Sequence, residues 1–157
     1  MSKFKLKNFF KSFYDLILVF LQFFIISLHF FQWEFLPQKQ IIQASPFSYF
    51  LGILIIIISF IIMIVSIKDL GRNLSPFPRP IKNSSLVTKG IYRFTRHPMY
   101  YSLILISIGV FIIKLSIHYL FLTISLALII KLKIPLEEKY LMNKYKNYLL
   151  YKNEVKY

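Results

Sequence analysis

Long apolar runs separated by polar segments dominate this chain. Residues 16–33 and 40–67 carry no formal charge, and the core of the second run is almost entirely Ile. A helix needs about 20 mostly apolar residues to span a bilayer, because each residue adds about 1.5 Å to its length. The pattern therefore predicts two transmembrane helices, at residues 14–33 and 48–67.

A third apolar stretch, residues 98–130, is interrupted near its middle by one charge, Lys114. Each uncharged half gives about 24 Å of helix, which is short for a hydrocarbon core of about 30 Å. The pattern predicts a short helical hairpin that turns near residues 114–119; one long broken helix is the alternative. The predicted fold is an all-α integral membrane protein with about four transmembrane helices. It forms a single domain over residues 1–157, with a cytoplasmic loop at 68–97 and a cytoplasmic tail at 131–157.

The basic residues predict the orientation. The chain has 20 Lys+Arg against 6 Asp+Glu, a net charge of +14, and 18 of the 20 lie before the first span, in the loop or in the tail. Because cytoplasmic loops are enriched in Lys and Arg, both termini are expected in the cytoplasm, in a bacterial inner membrane or the endoplasmic reticulum. The charge suits lipid headgroups better than nucleic acid, since no base-reading motif accompanies it. This chain has no cysteine and no metal-ligand spacing, so no metal is expected.

The 68–97 loop holds the first candidate site. Its 76–80 stretch contains three prolines and is predicted to be an extended strap, either a plain linker or the wall of a pocket. Pro98 suits the first turn of the next helix, which places Arg96 and His97 beside free backbone N–H groups. Such a helix start can hold a carboxylate or a phosphate. An interfacial Arg–His pair that faces lipid phosphates is the alternative.

Two adjacent carboxylates, Glu137 and Glu138, form the second candidate site. Adjacent residues on a helix point about 100° apart, so one is expected to face the site and the other to face outward. Lys133 lies one turn before Glu137 and is its nearest basic partner on that helix. A solvated charged helix is the alternative. His29, within the first apolar run, is interpreted as an interfacial or interhelical hydrogen-bond partner.

These segments together resemble the isoprenylcysteine carboxyl methyltransferase family and its phospholipid-methyltransferase relatives. The matching pieces are Leu70-Gly71, Ser75-Pro76-Phe77-Pro78 with Pro80, Leu86-Val87-Thr88-Lys89-Gly90-Ile91-Tyr92, Arg96-His97-Pro98-Met99-Tyr100, Glu137-Glu138-Lys139-Tyr140-Leu141, and Tyr148-Leu149-Leu150-Tyr151 with Val155. The resemblance covers about residues 48–157. The chain departs from the family at Tyr145-Lys146, where an aromatic-Gly pair is usual, and this affects the expected substrate contacts of the tail.

The resemblance implies methyl transfer from S-adenosylmethionine to a lipid-linked or isoprenoid acceptor at the cytoplasmic membrane face, by O-methylation of a carboxylate. The implied cofactor-binding residues are Ser84, Ser85, Leu86, Val87, Tyr92, His97, Pro98, Met99, Tyr100, Glu137 and Glu138. Arg96 and His97 are the implied catalytic residues, and Arg96 and Lys133 are expected to contact an acidic headgroup. A phospholipid N-methyltransferase, an NADPH-dependent membrane reductase of related fold and a non-enzymatic basic membrane protein are the alternatives.

Overall fold

The computed structural model describes residues 3–30, 41 and 43–155, with side chains from residue 13 onward. Five helices form over this part of the chain: α1 (Lys3–Leu28), α2 (Pro46–Leu70), α3 (Pro98–Lys114), α4 (Ile117–Lys144) and α5 (Tyr148–Glu154). Short 3₁₀ turns at Gly71–Asn73 and Gly90–Arg93 flank the loop between α2 and α3. The described residues contain no strand, so the predicted all-α class is confirmed for them.

Local sequence explains where the long helices begin. The Ser45 side chain accepts a hydrogen bond from the Ser48 N–H and caps α2, and Pro46 occupies its first turn. Pro98 begins α3 in the same way, as the sequence predicted. The strap at residues 74–80 is non-helical, which agrees with its three prolines.

The hairpin between α3 and α4 turns where the sequence predicted a turn. Leu115 adopts the left-handed conformation (φ 43°, ψ 42°), and Ser116 caps the start of α4. α4 continues past residue 130 to Lys144 through Pro135, so the predicted tail begins as a helix, and the boundary at 130 between hairpin and tail stays a prediction. The charges after Ile130 end the apolar run but not the helix, and two of them, Lys133 and Glu138, are buried.

The helices pack through small residues and one polar cluster. α2 packs against α3 and α1 packs against α4. A Cβ on Gly52 would lie 2.7 Å from the Gly109 carbonyl oxygen, so the α2–α3 approach requires glycine. His29 Nε2 lies 2.7 Å from Ser107 Oγ, which lies 2.8 Å from Thr123 Oγ1. His29 is therefore an interhelical hydrogen-bond partner that connects α1, α3 and α4.

Two segments, Pro46–Asn73 and Ile117–Lys144, are long and apolar enough to cross a membrane. The apolar helical segments Phe13–Leu28 and Pro98–Lys114 are shorter. Within the predicted first span, 14–33, the helix α1 ends at Leu28, and residues 31–33 lie outside the described residues, so the span itself stays a prediction. The number of crossings and the cytoplasmic position of the termini stay predictions.

Candidate active site

The polar end of the bundle carries two adjoining chambers. The loop between α2 and α3, the last turns of α4 and the helix α5 surround the first chamber. α1, α3, α4 and part of the loop surround the second chamber. Five residues line both chambers and are called the shared wall here: Leu70, Ser75, Tyr92, Arg96 and Glu137. Any group that passes between the chambers must pass these side chains.

The residues implied by the resemblance divide between the chambers. Those in the first chamber are Ser84, Ser85, Leu86 and Val87. Those in the second chamber are His97, Met99, Tyr100 and Lys133. Pro98 and Glu138 line neither chamber, because Pro98 is buried in the first turn of α3 and Glu138 lies behind the shared wall.

The end of α2 fixes the position of Tyr92. Gly90 has φ +62°, and the Asp69 carboxylate accepts a hydrogen bond of 2.8 Å from the Ile91 N–H. A Cβ on Gly90 would lie 2.0 Å from an Asp69 oxygen, so glycine is required for both conformation and space. The Tyr151 hydroxyl, from α5, donates to the Tyr92 carbonyl oxygen at 2.6 Å. Tyr92 is thus held from both sides.

The 84–87 segment is held against the ends of α2 and α4. The Ser85 N–H donates to Asn73 Oδ1 at 3.1 Å, so that donor is already used. Ser84 Oγ lies 2.6 Å from the Tyr145 hydroxyl and accepts from Lys144 Nζ at 2.6 Å. These contacts fix the start of the segment, and Leu86 and Val87 line the first chamber beside it.

Glu138 connects α4 to the start of α3 and to α5. Its Oε1 lies 2.8 Å from Arg96 Nε and 3.3 Å from His97 Nε2, and its Oε2 lies 2.7 Å from Lys152 Nζ. Arg96 also donates to the carbonyl oxygens of Lys152 and Val155. The Arg96 guanidinium is therefore engaged within the protein, and its predicted catalytic and headgroup roles stay predictions.

Glu137, the residue before Glu138, is part of the shared wall. Its Oε2 accepts a hydrogen bond of 2.6 Å from the Tyr100 hydroxyl, and the Tyr100 ring stacks on His97 with 5.7 Å between centroids. The expectation that one of the two glutamates faces outward is wrong. Both face the interior, because α5 covers the side of α4 that carries Glu138, and Lys152 of α5 binds that carboxylate.

Lys133 does not form the ion pair with Glu137 that the sequence suggested. Its ammonium donates to Gln22 Oε1 in α1 and, at 3.2 Å, to the Pro76 carbonyl oxygen. It also lies 5.2 Å from the centroid of the Tyr100 ring. Because only 1% of Lys133 is exposed, its charge is removed from water.

Three buried tyrosines between the loop and α5 remain neutral. Burial raises the pKa of Tyr151 to about 12, although the nearby Arg96 charge lowers it somewhat. Burial, with a contribution from Glu137, raises the pKa of Tyr92 well above its usual range. Burial, with a contribution from Glu138, does the same for Tyr148. These phenols therefore act as hydrogen-bond donors and aromatic surfaces at neutral pH.

A family model described as phospholipid methyltransferase matches residues 47–148, which is well over half of the 157 residues. The chain belongs to the phospholipid methyltransferase family. The match includes the loop, the hairpin and both glutamates. Searches of curated proteins and of solved structures found no match.

Membership in the phospholipid methyltransferase family indicates a methyltransferase, and methyltransferases of this family generally use S-adenosylmethionine. Together with the two long apolar helices, it also indicates a membrane protein. The residues present fit the cofactor on one further observation. Tyr148 lines the first chamber, and its buried hydroxyl has no hydrogen-bond partner among the described residues. A polar ligand in this chamber would satisfy it.

Two polar residues of α1 contact residues that line the chambers and were not predicted as site residues, since the resemblance begins only after α1. Gln22 binds Lys133, and Asp15 accepts hydrogen bonds from Arg79 in the strap (2.5 Å) and from Tyr140. Gln22 is an isolated polar residue in an otherwise apolar run, and that isolation is the signal that marks it. An uncompensated polar group in an apolar helix usually faces another polar group inside the bundle.

Proposed function

We propose that this protein transfers a methyl group from S-adenosylmethionine to a lipid-linked or isoprenoid acceptor at the cytoplasmic face of a membrane. The observation that carries the proposal is the meeting of two chambers at Tyr92, Arg96 and Glu137. Methyl transfer requires donor and acceptor in line on opposite sides of the methyl group. We assign the first chamber to the cofactor and the second chamber to the acceptor.

S-adenosylmethionine, when bound, supplies a methyl group on a positively charged sulfur. Glu137 stabilises a cation at the shared wall, because its Oε2 is bonded to Tyr100 and its carboxylate faces both chambers. The faces of Tyr92 and Tyr100 favour a cation at the same place. The Leu86 and Val87 backbone and the Tyr148 hydroxyl hold the polar parts of the cofactor.

Arg96 and His97 act chiefly as positioning residues. Both are bonded to Glu138, and this contact fixes the start of α3 against α4 and thereby orients Tyr100. His97 and Met99 line the second chamber close to the shared wall. A carboxylate acceptor needs no general base, whereas an amine acceptor must lose a proton before it attacks.

An apolar cavity supports an acceptor with a hydrocarbon chain. Its volume is about 250 Å³, and its almost entirely apolar lining includes Ile26, Leu103 and Ile106. Ile26 lies about one turn after Phe23 on α1, and Leu103 lies about one turn after Met99 on α3, so this cavity lies further along the helix faces that line the second chamber. Under the positive-inside rule the polar chambers face the cytoplasm, where S-adenosylmethionine is available.

The test is binding of S-adenosylmethionine to the purified protein in detergent, for the wild type, Glu137→Gln and Glu154→Gln. Glu137→Gln keeps the shape and removes the charge; the loss of a hydrogen bond to a charged group, about 1.5–3 kcal/mol, predicts affinity about 10- to 150-fold weaker. Glu154→Gln is the matched control, because Glu154 is exposed on α5 and lies outside both chambers. Equal affinity in all three proteins would contradict the assignment.

The second measurement separates the alternatives. Transfer of labelled methyl from S-adenosylmethionine into carboxylate lipids supports the O-methyl reading, and transfer into phospholipid amines supports the phospholipid N-methyltransferase that the family description names. A wild type that binds NADPH and not S-adenosylmethionine would instead support the membrane reductase. A folded protein that binds neither would favour a non-enzymatic role.

A further inference from the structure

We infer that Arg79, in the strap, binds the carboxylate at the amino-acid end of S-adenosylmethionine in the first chamber, and that Asp15 of α1 positions Arg79 for this contact. The inference rests on the proposed function and adds the residue that recognises this end of the methyl donor. Arg79 is not among the site residues that the resemblance implies, and Asp15 lies before the range matched by the family model. The case for both residues comes from the contacts of this chain.

The guanidinium of Arg79 has an unused donor inside the protein. Arg79 lines the first chamber, and its Nη2 is buried without a hydrogen-bond partner among the described residues. A guanidinium carries five N–H donors in a fixed planar fork. A buried donor that stays unpaired destabilises a protein, and more so when it belongs to a charged group. An acceptor on a bound molecule would remove this cost.

The first chamber contains a second unused polar group. Among the described residues, four buried side-chain nitrogen or oxygen atoms lack a partner, and they belong to Arg79, Thr95, His118 and Tyr148. Arg79 and Tyr148 both line the first chamber, whereas Thr95 and His118 line neither chamber. Buried polar groups in folded proteins are nearly always paired. Two unpaired groups at one cavity therefore indicate a polar ligand there.

Asp15 holds the guanidinium of Arg79 from the α1 side. Its Oδ2 accepts from Arg79 Nε at 2.5 Å, and only 3% of Asp15 is exposed. Arg79 Cζ also lies 5.3 Å from the centroid of the Tyr140 ring on α4. Because the guanidinium is planar and rigid, fixing Nε also fixes Nη2. The ion pair balances the charge of Arg79, so the feature that suits a ligand is the unused Nη2 and not an uncompensated charge.

The charges around Arg79 select the amino-acid end of the cofactor. Tyr140, which contacts Arg79, follows Glu137 about one turn later on the same face of α4. The first chamber therefore has a guanidinium and a carboxylate on neighbouring turns. The amino-acid end of S-adenosylmethionine carries an ammonium and a carboxylate on one carbon, which matches such a pair. Its ribose hydroxyls and adenine nitrogens are neutral, whereas a guanidinium binds a carboxylate most strongly.

The experiment measures the Kd in detergent for two ligands, S-adenosylmethionine and its decarboxylated analogue, which keeps the sulfonium and the ammonium but lacks the carboxylate. The proteins are the wild type, Arg79→Lys, Asp15→Asn and Arg72→Lys. Arg79→Lys keeps a positive charge beside Asp15 and removes the planar fork that contains Nη2. Arg72→Lys is the matched control, because Arg72 is exposed and lines neither chamber.

We expect the wild type to bind S-adenosylmethionine at least about tenfold more tightly than the analogue, which is the effect of one hydrogen bond to a charged group. Arg79→Lys should lose most of this preference, Asp15→Asn should lose part of it, and Arg72→Lys should keep it. The Kd of the analogue should stay near the wild-type value in all three variants, because the analogue has no group for Arg79 to bind. A merely structural role of Asp15 would instead weaken both ligands alike.

Equal affinity of the wild type for the two ligands would overturn the inference, because the carboxylate would then have no partner in the chamber. A preference that survives Arg79→Lys would also overturn it, since another group would then hold the carboxylate. An equal loss for both ligands in Arg79→Lys would overturn it as well, because Arg79 would then act on the ribose, the adenine or the fold. A wild type that binds neither ligand fails earlier and overturns the proposed function itself.

Discussion

The ion pair between Arg96 and Glu138 predicts that the substitution Glu138→Gln lowers the stability of the protein. The Arg96 side chain is 12% exposed and that of Glu138 is 7% exposed, so their 2.8 Å ion pair is nearly dry. Removal of one partner of a buried pair costs about 3–5 kcal/mol, because the remaining charge stays buried. Arg96 retains the Lys152 and Val155 carbonyl oxygens as partners, which favours the lower part of that range, about 3–4 kcal/mol.

Two neighbouring variants give matched controls. Glu137→Gln changes the adjacent acid, which forms no ion pair with a described residue and whose amide oxygen can still accept from Tyr100. Lys152→Met removes the third member of the Glu138 contact, but its side chain is 35% exposed, so solvent screens it and the expected loss is about 0.5–1 kcal/mol. The ranking should place Glu138→Gln well below both controls.

Thermal unfolding in one detergent, followed by far-ultraviolet circular dichroism, measures this ranking. At about 2–4 °C per kcal/mol for a chain of this size, Glu138→Gln should lower Tm by roughly 6–16 °C and Lys152→Met by roughly 1–4 °C. Equal Tm values for Glu138→Gln and Glu137→Gln would refute the reasoning, because the two substitutions are chemically identical and differ only in the ion pairs that they remove.

Two further predictions concern the loop and the buried phenols. Gly90→Ala should lower the free energy of unfolding more than Gly71→Ala does, with a difference of about 1.5–3 kcal/mol when it is derived from Tm. Both glycines have positive φ, but only a Cβ at Gly90 would displace the Asp69 carboxylate. Equal losses would contradict this. Because the pKa of Tyr151 is raised to about 12, stability that is full below the unfolded value of about 10 should fall as pH rises from 10 to 12. Tyr151→Phe should make that fall shallower when Tm is measured against pH, and part of the fall should remain because the pKa values of Tyr92 and Tyr148 are raised as well; an unchanged profile would contradict it.

The sequence predicted the helical class and the hairpin turn because both depend on local features. Pro98 and the charge at Lys114 mark the start and end of α3, and hydrophobic runs mark the other helices. The apolar run ends at Ile130 whereas α4 continues to Lys144, because hydropathy reports where apolar residues stop and not where backbone hydrogen bonds stop. A helix continues beyond the end of its apolar face when other elements pack against the polar residues that follow.

The sequence named candidate site residues, and the structure supplies the contacts between them. The loop and the glutamates were named from the resemblance, and they lie within the range that the family model matches, while their roles stay predictions. The partner of Glu138 could not be named, because Arg96 lies 42 residues away and Lys152 belongs to a different helix. Gln22 could not be paired with Lys133 either, since the two are 111 residues apart and meet only when α1 packs on α4.

The Glu138 contact also has a consequence for biosynthesis. A ribosome delivers a chain from its N-terminus, and domains generally fold in that order. Arg96, His97 and Glu138 emerge before Lys152 and Val155, so α1 to α4 can assemble while the charges at their polar end still lack part of their partners. Among the members of this contact, Lys152 and Val155 are synthesised last, and Arg96 and Glu138 gain these partners only when α5 docks. A nascent chain arrested before residue 152 should therefore be helical, yet its Arg96 should not be held in the shared wall.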